Sequence, residues 1–339
     1  MASSNRPLLA VTMGDPAGIG PEVIVKAFLS EPLHEWCLPL VIGDAAFLER
    51  VVRSLDAADA LAVQVVDEPS NGAYGPSLID VLDLANVHPS VQAGALSAEA
   101  GGAAMAYVLR ALDLARDDTV SGIVTAPINK EATQLAGYRD MGHMELFGRV
   151  LNAPDQATML VSGKLRTVHL TTHHSLRDAL DRITRERVLS RIQLTDHHFR
   201  DWGLARPRIA VSAINPHGGE GGHLGREEIE EIGPAVEDAR VAGIEAAGPL
   251  PADSVFVRAM RGEFDAVVAM FHDQGHIPVK VHGFEESVSV ALGLPLVRTS
   301  VDHGTAFDIA GKGIADATST IEAIRTAAQI CAGTWLVDG

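Results

Sequence analysis

The 339-residue chain is 47% hydrophobic and 21% charged, the composition of an ordinary globular protein with enough material for a large core or two lobes. A formal net charge of −17 argues against a general binder of nucleic acid or anionic membrane, while leaving room for a local cationic pocket that takes a small anion. The two cysteines, Cys37 and Cys331, form no CxxC pair, so the sequence offers no thiolate zinc site, and so few cysteines fit a reducing compartment.

The first segment, MASSNRPLLAVTMGD, lacks a basic stretch followed by a long apolar run. No uncharged apolar stretch approaches the roughly 20 residues that span a bilayer. A cytoplasmic protein with no membrane partner is expected. Pro7–Thr12 (PLLAVT) reads as a buried strand. It runs into MGDPAGIGPE (Met13–Glu22), where Gly14, Gly18 and Gly20 form a turn and Pro21 suits a first helical position. Pro39–Ile42 reads as a strand and Ala45–Leu55 as a helix, and Ala100–Ala115 carries apolar residues at helical spacing. Gly122–Val124 leads into Thr125–Ala126–Pro127. Thr158–Val161, Arg166–Thr171, Arg208–Ala213 and Ala266–Phe271 read as buried strands, each followed by a polar turn containing His or Gly. The alternation predicts an α/β fold with a largely parallel sheet, whose ligands sit beyond the carboxyl ends of the strands.

Three of the 14 histidines follow such strands: His173 in TTHHSL, His217 in INPHGGEGGH and His272 in MFHDQG. No local motif such as HExxH links them. Three imidazoles from three strand ends would leave open positions on a divalent metal, although a histidine taken singly is more often a surface or satisfied core residue. His174, His197, His198 and His282 fall under that plainer reading. The chain has neither GxxxxGK[ST] nor GxGxxG, so a Rossmann dinucleotide site is not supported. Arg298–Asp316 (RTSVDHGTAFDIAGKGIAD) is dense in Gly, Asp and His, and is expected to be a loop around a polar ligand rather than a strand or helix. Lys280 and Arg298 are candidate anion binders, or else solvated surface charges.

In order along nearly the whole chain, several segments resemble the 4-hydroxythreonine-4-phosphate dehydrogenase family of pyridoxal phosphate biosynthesis and its paralogues. They are MGDPAGIGPE, TAPINKEA (Thr125–Ala132), GHMELF (Gly142–Phe147), TTH (Thr171–His173), NPHGGEGGHLGREE (Asn215–Glu228), GPLPADSVF (Gly248–Phe256), HDQGHIPVK (His272–Lys280) and GLPLVRTSVDHGTAFDIAGKG (Gly293–Gly313). The family looks like a distant cousin of the isocitrate and isopropylmalate dehydrogenases. This implies two α/β/α lobes with a cleft, rather than a GxGxxG Rossmann fold. The expected lobes interleave, with residues 1–130 and 295–339 on the cofactor side and 131–294 carrying metal, substrate and dimerisation.

The resemblance implies metal-dependent oxidation, with decarboxylation, of a small phosphorylated hydroxy acid by NAD or NADP. It also implies one divalent cation per site (Zn, Mg, Mn, Co or Ni) and a homodimer whose active site is shared between subunits. His173, His217 and His272 match metal ligands, and His143, Lys280 and Arg298 match substrate-binding positions. Asp253, an acidic residue near the substrate, and Lys280 are the catalytic candidates. Gly14 and the loop residues His303, Gly304, Thr305 and Asp308 are expected at the cofactor. Two positions depart from the pyridoxal-pathway pattern: Met144 stands where a threonine is usual and Ser289 where an asparagine is usual. A thioether donates no hydrogen bond, and a hydroxyl is shorter than an amide. Both positions fall in the substrate set, and HDQGHIPVK and FDIAGKG look more like the paralogues acting on D-threonate or D-erythronate 4-phosphate. Two other readings are an unphosphorylated dihydrodiol carboxylate as substrate and, in another class, a metal-dependent hydrolase.

Overall fold

A computed structural model describes residues 6–140 and 142–336. Its strands, in chain order, are β1 (Leu8–Thr12), β2 (Leu38–Gly43), β3 (Ala62–Val66), β4 (Leu78–Asp83), β5 (Gly122–Thr125), β6 (Ala157–Ser162), β7 (Leu165–His169), β8 (Ile209–Ser212), β9 (Ala246–Leu250), β10 (Ala266–Ala269), β11 (Val288–Leu292) and β12 (Val297–Val301). The chain divides into two compact units, Met1–Pro154 with Leu294–Ala332, and Asp155–Gly293 with Gly333–Gly339.

In the first unit the strands run β3-β4-β2-β1-β5-β12, all parallel. The central strands are short apolar runs, Leu9–Val11 and Leu40–Ile42 among them, buried on both faces. That is what a parallel sheet covered by helices requires. The helix Ala98–Arg116 packs on β1, β2 and β5, and the helix Thr318–Cys331 on β5 and β12. Ser97 starts the first of these by accepting a hydrogen bond from the Ala100 amide at 3.1 Å. After β1 the chain crosses to β2 on one side, whereas β5 lies on the other. Loops leaving β1 and β5 therefore diverge at a topological switch point, where open parallel sheets bind ligands.

The second unit runs β11-β6-β7-β10-β8-β9. Here the largely parallel sheet takes in two antiparallel pairs. β6 pairs antiparallel with both β7 and β11, while β7, β10, β8 and β9 are mutually parallel. The tight turn Gly163–Lys164 joins β6 to β7, and so short a connection forces an antiparallel pair. Alternate residues face opposite layers. Ile209, Val211 and Val268 join Val188, Ile192 and Val236 of two helices, whereas Ala210 and Val267 join Val255 and Ala259 of another. The parallel trio β7, β10 and β8 ends on one edge, which is where the sequence placed its histidines.

Gly101, inside the helix Ala98–Arg116, shows what close packing demands. A Cβ there would stand 2.2 Å from both the carbonyl carbon and the oxygen of Ala132. Helix propensity alone would favour alanine by about 1 kcal/mol, but overpacking against backbone costs roughly 1–3 kcal/mol. Gly101→Ala is expected to lower stability by about 1 kcal/mol or more in denaturant titration; a gain would contradict the packing.

Candidate functional site

In the first unit, three segments that are remote in sequence are fastened together. The Asp15 amide donates to the Pro127 carbonyl at 3.0 Å, joining the loops after β1 and β5. Gly14 has φ +74, and a Cβ on it would meet the Pro127 carbonyl oxygen at 2.6 Å. The Ile19 amide donates to the Thr305 carbonyl at 3.0 Å. Glu22, 5% exposed, accepts from the Ala315 amide at 2.7 Å and the Gly313 amide at 3.2 Å, and Lys26 caps the carbonyls of Gly313 and Ala315. The Gly-Pro-Glu segment is thus the clasp for the C-terminal glycine loop. Gly14, His303, Gly304, Thr305 and Asp308 belong to this clasped region. Thr305 is buried, Gly304 and Asp308 are exposed, and the Nδ1 of His303 lies 3.0 Å from the Gly304 carbonyl.

That loop is shorter than the sequence suggested. Val297–Val301 is strand β12, so the irregular stretch begins at Asp302. Its polar residues tolerate a central strand because each finds a partner. Thr299 donates to the Ala323 carbonyl at 2.7 Å and Ser300 to the Thr125 carbonyl at 3.0 Å.

Arg298, 3% exposed, is the unusual member of β12. Its Nη2 donates to the Thr125 hydroxyl at 2.6 Å, which donates to Ser300 Oγ at 2.9 Å. Its Nη1 donates to the Met144 sulfur at 3.8 Å, and the guanidinium lies 5.7 Å from the centre of the Phe147 ring. Nε has no hydrogen-bond partner, and among the described residues no carboxylate pairs with Arg298. Burial lowers its pKa to about 10, so the group stays cationic at neutral pH. Beside it, His143 opens the helix His143–Val150, and its buried Nε2 also has no partner. Burial, then the charges of Arg298 and Lys130, push the His143 pKa well below the usual imidazole value. A buried cation without a counter-charge, next to a neutral imidazole, is a receptor for an anion. Asp15 adds a buried carboxyl whose pKa is raised by desolvation to about 6; its Oδ1 accepts from the Ala17 amide, and its Oδ2 has no partner.

In the second unit, side chains lock the three parallel strand ends. Thr171 donates to the Met270 carbonyl at 2.9 Å, Gln274 accepts from the Met270 amide at 2.7 Å, and its amide nitrogen donates to the Ala213 carbonyl at 2.8 Å. His173 and His272 emerge from two of these ends with ring centroids 6.0 Å apart. Two imidazoles on one cation at about 2.0–2.1 Å per bond would have centroids about 5–6 Å apart. His217 follows β8 in a loop whose residues His217 to Gly221 all have positive φ, between 47° and 81°. Buried Glu228 holds the start of that loop, accepting from the amides of Ile214 and Asn215 at 2.8 and 2.7 Å. Within one chain, no three His, Cys, Asp or Glu side chains among the described residues gather into a metal cage.

Behind His272 is a feature that sequence reading missed. His276 stacks on it with centroids 3.6 Å apart and bonds through Nδ1 to His169 Nε2 at 3.0 Å; His169 Nδ1 lies 3.0 Å from the Thr158 carbonyl. Burial first, then His276, pushes the His169 pKa down to about 3, so a neutral ring is fixed there. The i, i+4 spacing of His272 and His276 was the available signal.

The remaining candidates are dispersed. Asp253 is exposed in the first turn of the helix Ala252–Met260, and its side chain enters no hydrogen bond or ion pair among the described residues. Lys280, half-buried in the helix His272–His282, lies 4.9 Å over the Phe284 ring. Ser289 is half-buried on β11, opposite Leu160.

Known proteins can be set beside this geometry. The signature of the family described as "Pyridoxal phosphate biosynthetic protein PdxA" matches residues 35–327. The chain belongs to this family. Among PdxA-family relatives, the D-threonate 4-phosphate dehydrogenase of Cupriavidus necator is 47% identical over 96% of this chain and 97% of its own. The 4-hydroxythreonine-4-phosphate dehydrogenase of Desulforapulum autotrophicum is 43% identical over 96% of each chain. The crystal structure of 4-hydroxythreonine-4-phosphate dehydrogenase from Klebsiella pneumoniae matches with a TM-score of 0.90 at 42% identity, covering 97% of this chain and 99% of that one. Among the described residues no helix is long and apolar enough to cross a membrane.

The His143 environment generates a prediction. Burial and two cations disfavour its protonated form, so the unfolded chain takes up that proton first as pH falls below about 6.5. Histidine NMR should place the His143 midpoint well below 6.5, and this group should make the fold less stable as the pH drops from there. Arg298→Met should move the midpoint upward. A midpoint at or above 6.5 in the unmodified protein would contradict the arrangement.

Proposed function

We propose that this PdxA-family chain oxidises a small 4-phosphorylated hydroxy acid with NAD or NADP and decarboxylates the product. D-threonate or D-erythronate 4-phosphate is favoured over 4-hydroxythreonine-4-phosphate. The observation that carries the reading is Arg298, a buried guanidinium with no carboxylate partner, supported by neutral His143. An anionic substrate supplies the missing counter-charge. Met144, rather than a hydroxyl-bearing residue, fills the space beside Arg298 Nη1 and removes one donor from the pocket. That change, with Ser289 on β11, fits a substrate other than that of the vitamin pathway.

His173, His217 and His272 are the residues proposed to hold a divalent cation. The fit rests on their imidazole chemistry at three strand ends and on the spacing of His173 and His272; a homodimer with a shared site would complete the set on assembly. Such a cation supplies Lewis acidity for negative charge developing on a substrate oxygen. The clasped region of Gly14 and His303–Asp308 is proposed to receive the nicotinamide cofactor, which supplies the hydride acceptor.

This chain's own groups then do the following. Arg298, with Thr125 ordering its Nη2, grips the anionic end. His143, neutral, offers an Nε2–H to the same end without adding charge. Lys280 is the second cation proposed to act on the substrate. Asp253, exposed and without a side-chain partner, is proposed to take the proton from the hydroxyl as its carbon gives up hydride. The resulting β-keto acid loses carbon dioxide, and the enol carbon regains a proton. A hydrolase would leave the clasped loop without a role.

A panel of four-carbon hydroxy acids, with and without phosphate, tests the reading by the appearance of reduced nicotinamide. The phosphorylated acids should be turned over with kcat/KM about 10²-fold or more above their unphosphorylated counterparts, since a charge-assisted phosphate contact is among the stronger polar contacts. Chelation should abolish turnover, and a divalent cation should restore it. His272→Ala should bind less metal by direct metal analysis while keeping its circular dichroism. Hydrolysis of the phosphate without nicotinamide reduction would overturn the proposal, as would full activity after exhaustive chelation.

A further inference from the structure

Lys130 lies in the segment TAPINKEA, whose Thr125 holds Arg298 and whose lysine has no role so far. It opens the helix Lys130–Leu135, and its backbone is fixed from two sides. Asn129 caps that helix by accepting from the Ala132 amide at 3.0 Å. Two residues before Asn129, the Pro127 carbonyl accepts from the Asp15 amide at 3.0 Å. From this anchored start the lysine side chain runs toward the turn before His143, so that its Cε lies 3.7 Å from where a Cβ on Gly142 would stand. The side chain is exposed, and among the described residues its ammonium enters no hydrogen bond or ion pair. Glu145 approaches the same point to 3.3 Å yet forms no ion pair with it.

Two nitrogens on neighbouring elements share this lack of partners while being buried: His143 Nε2 and Arg298 Nε. Three groups that can donate to one anion therefore come from three elements of the first unit: β12, the helix start at His143 and the helix start at Lys130. Among the described residues no acidic side chain pairs with Lys130 or Arg298. Like charges so arranged repel one another and are costly to maintain unless a ligand of opposite charge joins them. A carboxylate carries one charge; a phosphomonoester carries nearly two and three acceptor oxygens, enough for all three donors.

We propose that Lys130 is a specificity-determining residue, completing with Arg298 and His143 a subsite for the phosphate of the substrate. This rests on the reading of the substrate as a phosphorylated acid. Arg298 sits deep and fixes orientation, while Lys130, at the surface, adds charge at the mouth. The consequence is selectivity for a dianion over a monoanion, expressed in binding rather than in the chemical step.

The test uses the full-length protein and the variants Lys130→Met and Lys130→Arg. Lys164→Met, an exposed lysine in the turn between β6 and β7, controls for loss of charge alone. Inorganic phosphate is titrated into each by calorimetry, and KM and kcat are measured for a phosphorylated acid and its unphosphorylated counterpart. Lys130→Met should weaken phosphate binding about tenfold or more, equal to about 1.4 kcal/mol. It should raise KM for the phosphorylated acid by a similar factor with little change in kcat, and leave the unphosphorylated acid unaffected. Lys130→Arg and Lys164→Met should stay close to the parent protein. Equal phosphate affinity in Lys130→Met and the parent, or no phosphate binding by the parent, would overturn the subsite. If phosphate binding depends on Lys130 but no acid of the panel is oxidised, the subsite stands and the proposed substrate reading falls.

Discussion

A guanidinium taken out of water needs compensation, and Arg298 has only part of it within the chain. Hydroxyl and sulfur acceptors order two of its nitrogens, but no carboxylate answers its charge among the described residues. Burial of an unneutralised cation is expensive enough that a fold keeps it only where something else repays the cost. The surroundings follow from that constraint. Thr125 and Ser300 form a fixed hydroxyl chain beneath it, with Ser300 returning its proton to the Thr125 carbonyl. His143 is kept neutral because a second buried positive charge would add to the cost.

The clasp of Glu22 and Lys26 on residues 313–315 serves the same arrangement from another side. It ties the helix after the first glycine turn to the loop that follows β12, so the strand bearing Arg298 leaves the sheet along a fixed path. The Asp15 amide does the equivalent for the loop after β5, through the Pro127 carbonyl. Asp15 accepts from the Ala17 amide, while Glu22 accepts from two main-chain amides and also pairs with Lys26 at 3.0 Å.

Much of this was legible in the residues. The apolar runs at Pro7–Thr12 and Pro39–Ile42 and the alternation with helical segments announced an α/β sheet, because strands buried on both faces have no polar side to show. The three histidines were recognisable as strand-end residues. What stayed hidden had physical reasons. β12 escaped notice because Arg298, Thr299 and Ser300 look like loop residues until their partners on β5 and the C-terminal helix are known. The antiparallel β6 and β11 carry the same apolar code as their parallel neighbours; direction is set by connection length, not by residue type. The His169–His276 pair joins residues 107 apart in the sequence and Lys130 meets Gly142 across a loop, and neither leaves a local trace beyond an i, i+4 histidine spacing and an Asn cap.

The central claim is that the uncompensated cation of β12 is where the anionic end of the substrate is held. A crystal structure with a phosphorylated four-carbon hydroxy acid bound tests it most directly. The account predicts phosphate oxygens within hydrogen-bonding distance of the Arg298 guanidinium and of His143 Nε2, with the Thr125 contact retained. A phosphate bound elsewhere, with the Arg298 surroundings unchanged and still lacking an anion, would contradict it.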